Sequence, residues 1–153
     1  MLAIQLAFST VMVVATVIVH LVGLLLLFRI VDVPESVAGG RGAILGDVAR
    51  VTGAALGLFV LHTIEIWAYA FAYVELGALN SFETALYFSI GTYVTIGYGD
   101  VLLDPAWRIS GAIEGANGVI LLGWSTAFLI STVSRLRVLE RRWGATSRTG
   151  PVD

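Results

Sequence analysis

The first 28 positions constrain this chain most: Met1–Phe28 holds no Asp, Glu, Lys or Arg. A helix of that length rises about 42 Å, more than the roughly 30 Å hydrocarbon core of a bilayer. A cleaved signal peptide would need a basic start and a shorter apolar run, and neither is present. The segment reads as a retained membrane helix over 1–30. Two further runs follow. Val51–Leu76 is apolar apart from His62 and Glu65 near its middle and Glu75 near its end, and Ala106–Ser134 carries Arg108 and Glu114 near its beginning. Between them Asn80–Val94 is shorter and less apolar. Its 15 residues span only about 22 Å as a helix, too little to cross. It predicts a half-helix that enters the membrane and turns back.

Composition agrees with this reading. Hydrophobic residues make up 58% and charged residues 13%, the latter about half the share of an ordinary soluble domain. A small water-soluble domain has no interior large enough for so much apolar surface, which excludes a soluble enzyme and a disordered chain. With no cysteine, there is no disulfide, no thiolate nucleophile and no Cys-based metal site. The net charge of −2 gives no reason to expect a nucleic-acid partner. No HExxH-like spacing or paired catalytic groups point to an enzyme, and no cofactor is expected.

The nine basic residues are all arginines, and they are unevenly placed. Arg29, Arg41 and Arg50 flank or occupy the linker 31–50, a loop carrying Pro34 and Gly39-Gly40-Arg41-Gly42 with interfacial helix at its end. Arg135, Arg137, Arg141, Arg142 and Arg148 follow the last run; the first turns after it continue that helix, and a short tail occupies 138–153. Only Arg108 lies between the second and third runs. The positive-inside rule then puts the linker and tail in the cytoplasm and the N-terminus and half-helix outside.

The half-helix leads into Thr95-Ile96-Gly97-Tyr98-Gly99-Asp100. Non-helical backbone at membrane depth must be buried in protein or line a hydrated cavity. Glycines at alternate positions let successive carbonyls point to one side, and four chains meeting on an axis would stack them into rings that replace the water around a potassium ion. This stretch resembles the pore domain of tetrameric potassium channels, whose signature T-(V/I)-G-Y-G-D it matches after a short helix and before a full apolar span. The resemblance covers 51–137: outer helix 51–76, pore helix 81–94, filter 95–100 and inner helix 107–134. It implies an all-α membrane protein with three transmembrane helices, a re-entrant pore helix and a selectivity filter. It further implies a homotetramer conducting potassium passively across a lipid bilayer, in a bacterial inner membrane. Alternatives are a weakly selective cation channel and a non-conducting subunit of the same fold.

By position, the resemblance implies that Thr95, Ile96, Gly97 and Tyr98 ligate potassium through carbonyls, with Gly99 completing the filter. The Thr95 hydroxyl would close the cavity side and Asp100 would sit at the outer mouth. Tyr87 and Phe88 match an aromatic cuff around the Tyr98 side chain, or else form an interfacial aromatic belt. Relatives that carry Glu nine positions before the signature aspartate differ here, because Gly91 occupies that place. Glu114, about 10 Å inward along the last helix, is a candidate to support the filter instead, or makes a local hydrogen bond to a neighbouring helix. Gly118 aligns with a gating hinge of the family, or serves close helix packing alongside Gly111, Gly115 and Gly123. Leu122, Thr126, Ile130 and Ser134 are a candidate pore-lining stripe. His62 and Glu65, one turn apart, either pair within the helix layer or sense protons. His20 reads as a packing residue. The first helix has no arginine ladder, so it does not resemble a voltage sensor, and it is expected on the periphery.

Overall fold

The structure is a computed structural model that describes the backbone of residues 1–31 and 41–146, with side chains over 1–31 and 45–134. Pro34, Gly39, Gly40 and Arg148 lie outside the described residues, as do the side chains of Arg41, Gly42, Arg135, Arg137, Arg141 and Arg142. Among the described residues there are four helices: α1 Leu2–Val31, α2 Arg41–Glu75, α3 Phe82–Tyr93 and α4 Arg108–Thr146. Apolar segments of 30, 31 and 27 residues in α1, α2 and α4 are each long enough to cross a membrane. α3, with 12 residues, is not. α2 begins at Arg41, ten residues before the expected outer helix, so the end of the linker is one continuous helix with it.

Local chemistry sets the boundaries. α2 ends in a Schellman motif: Gly77 takes φ +64, its N–H donates to Val74 O, and the Ala78 N–H reaches Tyr73 O. With Gly77 left-handed, two of the last carbonyls are satisfied and the helix ends there. α3 starts at Ser81, whose extended backbone and Oγ cap the Thr84 N–H at 3.2 Å. Before α4, the Asp104 carboxylate accepts from the Ala106 N–H at 2.8 Å, an Asx turn that redirects the chain.

α1 is built inside out. Its lipid-facing side carries Leu2, Ile4, Val11, Val14, Ile18, Leu21, Val22 and Leu25, whereas its buried residues are Gln5, Ser9, Thr16 and His20. In lipid the apolar side has nothing to gain by hiding, and packing and interhelical hydrogen bonds hold the bundle together. Gln5 accepts from the Ile109 N–H at 3.2 Å, satisfying one of the free donors at the start of α4. Thr16 accepts from Asn117 of α4 at 2.8 Å. Toward its other end α1 meets α2 through two reciprocal fits. Leu61 fills the space a side chain at Gly23 would need, and Leu27 does the same at Gly57. The expected peripheral position of α1 is therefore specified: it is docked along both α2 and α4.

The apolar core gathers Tyr69, Ala70 and Tyr73 of α2 with Ala85 of α3 and Leu103 of the following loop. Gly111, Gly115 and Gly118 of α4 face α3, against Phe88, Thr92 and Tyr93, whereas Gly123 has open space around it. At Gly118 a Cβ would overlap the Tyr93 carbonyl. These three glycines allow α4 to pass α3 at close range, as small residues do in membrane bundles.

Candidate functional site

The C-terminal turn of α3 controls the backbone after it. The Thr95 N–H donates to Thr92 O at 3.0 Å, and the N–H groups of Ile96 and Gly97 both reach Gly91 O, at 2.8 and 3.0 Å. No peptide bond among the described residues is cis. In a trans peptide the carbonyl opposes the N–H of the next residue. The carbonyls of Val94, Thr95 and Ile96 are therefore all turned away from the end of α3. Positive φ recurs at alternate residues: Thr95 at +61, Gly97 at +56 and Gly99 at +81. For the glycines this costs little. For a β-branched threonine it is unfavourable by about 1–2 kcal/mol, and strain of this kind gathers at functional positions. In the single chain 95–100 is exposed throughout, with Tyr98 at 71%.

The segment is held from α3 by aromatic groups. The Tyr87 hydroxyl donates to Asp100 Oδ2 at 2.8 Å, and the Tyr87 and Tyr98 rings stack at 6.3 Å and 11°. Donation to the Asp100 carboxylate pushes the Tyr87 phenol above its ordinary range. Asp100 also caps the Val101 N–H at 3.1 Å. Phe88 lies on the other side of α3, edge-on to Tyr73 at 5.7 Å and against Gly111. The two expected cuff residues thus divide: Tyr87 touches Tyr98 and Asp100, and Phe88 packs toward α2 and α4. A cavity of about 420 Å³ separates α3, the 95–103 segment and the start of α4.

Glu114 is fully buried, where its Oε2 accepts from Tyr73 Oη at 2.8 Å. Its Oε1 and the nearby Ser89 Oγ have no partner within hydrogen-bond geometry. It stands between α2 and the back of α3. Of its sequence alternatives, the local hydrogen bond to a neighbouring helix is the contact present.

A second polar cluster joins all four helices. Glu65 Oε1 faces His20 Nδ1 at 2.8 Å, and Glu65 Oε2 accepts from Tyr93 Oη at 2.5 Å and faces His62 Nδ1 at 3.0 Å. His62 Nδ1 is also 3.0 Å from Tyr93 Oη. Ser125 Oγ closes the cluster, 2.9 Å from His62 Nε2 and 3.4 Å from His20 Nε2. His62 and Glu65 pair as the sequence allows. His20 does more than pack, and the sequence reading missed it together with Tyr93 and Ser125. Its signal was available: Gln5, Ser9, Thr16 and His20 recur along one face of an otherwise apolar helix. His20, His62 and Glu65 each offer one ligand atom, all within 4.8 Å of one another, a donor set a metal ion could use. Every one of those atoms already has a hydrogen-bond partner.

A family model described as ion channel matches residues 59–135. The chain belongs to the ion-channel family. The matched stretch covers the C-terminal half of α2, all of α3, the 95–100 segment and α4 to just past Ser134. No match to a curated protein or to a solved structure was found. This membership and the three apolar helices make the chain an integral membrane protein of passive ion conduction. Its described residues form an all-helical fold, and its family is one of transport rather than of catalysis. Within the channel family α1 stands apart, since it precedes the matched region entirely.

Proposed function

We propose that this chain is the subunit of a homotetrameric, potassium-selective channel whose filter is Thr95–Gly99. The observation that carries this reading is the orientation of two consecutive filter carbonyls, those of Thr95 and Ile96, away from α3 on an exposed strip of the single chain. Four such strips around an axis would present rings of oxygens at the spacing of successive residues, a replacement for the hydration shell of potassium. Positive φ at Gly97 and Gly99 continues the same alternation outward. Asp100, fixed by Tyr87, would make the outer entrance electronegative. The C-terminal end of α3 would aim its partial negative charge at the ion in the cavity. Thr126, Ile130 and Ser134 are exposed on the α4 face opposite Leu121, Ser125 and Thr132, which suits a stripe lining the inner pore. Gly118 as a bending point of α4 belongs to this reading too. The arginine distribution supports an outside N-terminus and a cytoplasmic tail.

The test is ion flux from liposomes holding the full chain, with reversal potentials in mixed sodium and potassium. A potential following the potassium gradient supports the proposal; one that ignores it, or no flux at all, defeats it. Gly99→Ala is the control. With φ at +81, an added Cβ strains the filter backbone, and potassium flux should fall at least tenfold, as roughly 1–2 kcal/mol of strain per site allows.

A further inference from the structure

We propose that His20, Glu65, His62 and Ser125 form a closed positioning ring that carries one shared proton and holds Tyr93, and so the foot of the 95–100 segment, in place. Its functional consequence rests on the channel reading above; its structural content does not.

The proton count follows from hydrogen-bond inventory. An ionised carboxylate only accepts. Both imidazoles face Glu65 through Nδ1, so both carry hydrogen there, and the Tyr93 hydroxyl donates to the same carboxylate. Each imidazole then turns Nε2 toward Ser125. With both rings neutral, two Nε2 acceptors compete for the single Ser125 hydrogen. One acceptor, on buried His20 or half-buried His62, is left without a partner in the cluster, and the cluster keeps the full charge of Glu65. With both rings protonated, the cluster is positive and the Ser125 hydrogen has no acceptor within it. With one ring protonated, that ring donates to Ser125 Oγ and Ser125 donates onward to the other ring. Every donor and acceptor is then used and the net charge is zero. Uncompensated charge and unpaired polar atoms are both costly at this depth.

The ring faces groups on every element. α1 contributes His20; α2 contributes His62 and Glu65; α3 contributes Tyr93; α4 contributes Ser125. The other titratable groups on the inner faces of α2 and α4 have their own partners: Tyr69 bonds Asn117, and Tyr73 bonds Glu114. Tyr93 transmits the ring's geometry. It is the last residue of α3, its ring is fully buried, and its carbonyl is clamped against Gly118. Two residues later the chain enters the strained Thr95 conformation. α1, which the matched family region does not include, thereby contributes His20 to the positioning of the filter.

Nitrogen NMR of histidine in the full chain, in lipid nanodiscs at pH 7, tests the proton count directly. One imidazolium and one neutral ring protonated at Nδ1 are expected; two neutral rings or two imidazolium rings overturn it. Tyr93→Phe tests positioning with little risk to folding, because it removes one oxygen and keeps the ring. The amide resonances of Ile96 and Gly97 should shift, and the potassium-over-sodium permeability ratio should fall roughly tenfold, a usual coupling between distinct sites. Unshifted resonances overturn the positioning role. Should wild type conduct nothing, the channel reading fails, while the proton count and the amide shifts still decide the ring. His20→Asn, which keeps the donor to Glu65, should restore more of the permeability ratio than His20→Leu; equal effects would count against α1 acting through that bond.

Discussion

Two carboxylates lie buried in the helix layer of this protein, and they are treated differently. Glu65 meets His20, His62 and Tyr93 across both its oxygens, with partners on three helices. Glu114 meets one hydroxyl, Tyr73, and leaves its second oxygen unpaired. A fully satisfied polar cluster fixes the elements that carry it, whereas a partly satisfied one leaves room for a change of protonation or a water molecule. Glu65 therefore reads as a joint between α1 and α3, and Glu114 as a tolerant site behind α3.

The largest effect should come from Glu65→Ala. It strands two histidines and a tyrosine at once, and loss of one partner of a buried ionic cluster costs about 3–5 kcal/mol. The thermal midpoint of the detergent-solubilised protein should drop steeply; a change no greater than that of the Glu114 variants would erase the contrast. Tyr73→Phe removes the hydrogen-bond partner of Glu114 and should cost about 1–3 kcal/mol by the same readout. Glu114→Gln should be the mildest, within about 1 kcal/mol. Its carbonyl still accepts from Tyr73 and its amide can donate to Ser89. Unchanged selectivity in that variant would also remove Glu114 as a filter support, whereas an altered permeability ratio would restore it.

The sequence disclosed what is local. The TIGYGD hexapeptide, the short helix before it and the long apolar runs are contiguous, so their pattern shows without a partner. What stayed hidden depends on helices meeting in space. His20 and Glu65 are 45 residues apart, and His62 and Ser125 are 63 apart. Nothing in either neighbourhood names the other. The division of Tyr87 from Phe88 was hidden for a related reason. Adjacent residues on a helix point about 100° apart, so two neighbouring aromatics do not share one face. α1 is the instructive case. Its polar residues were visible as a stripe, but their partners at Ile109, Asn117 and Glu65 come from turns of α4 and α2 that only the fold brings alongside.

The contact at Gly118 has a mechanical consequence. Since not even a methyl group fits between α4 and the Tyr93 carbonyl, the two helices are pinned at one crossing point. A pivot at that turn must either leave the outer half of α4 stationary or drag the last turn of the short helix with it. Movement at the C-terminal end of α4 and distortion of the 95–100 segment would then be two ends of one lever, with Gly118 as its fulcrum.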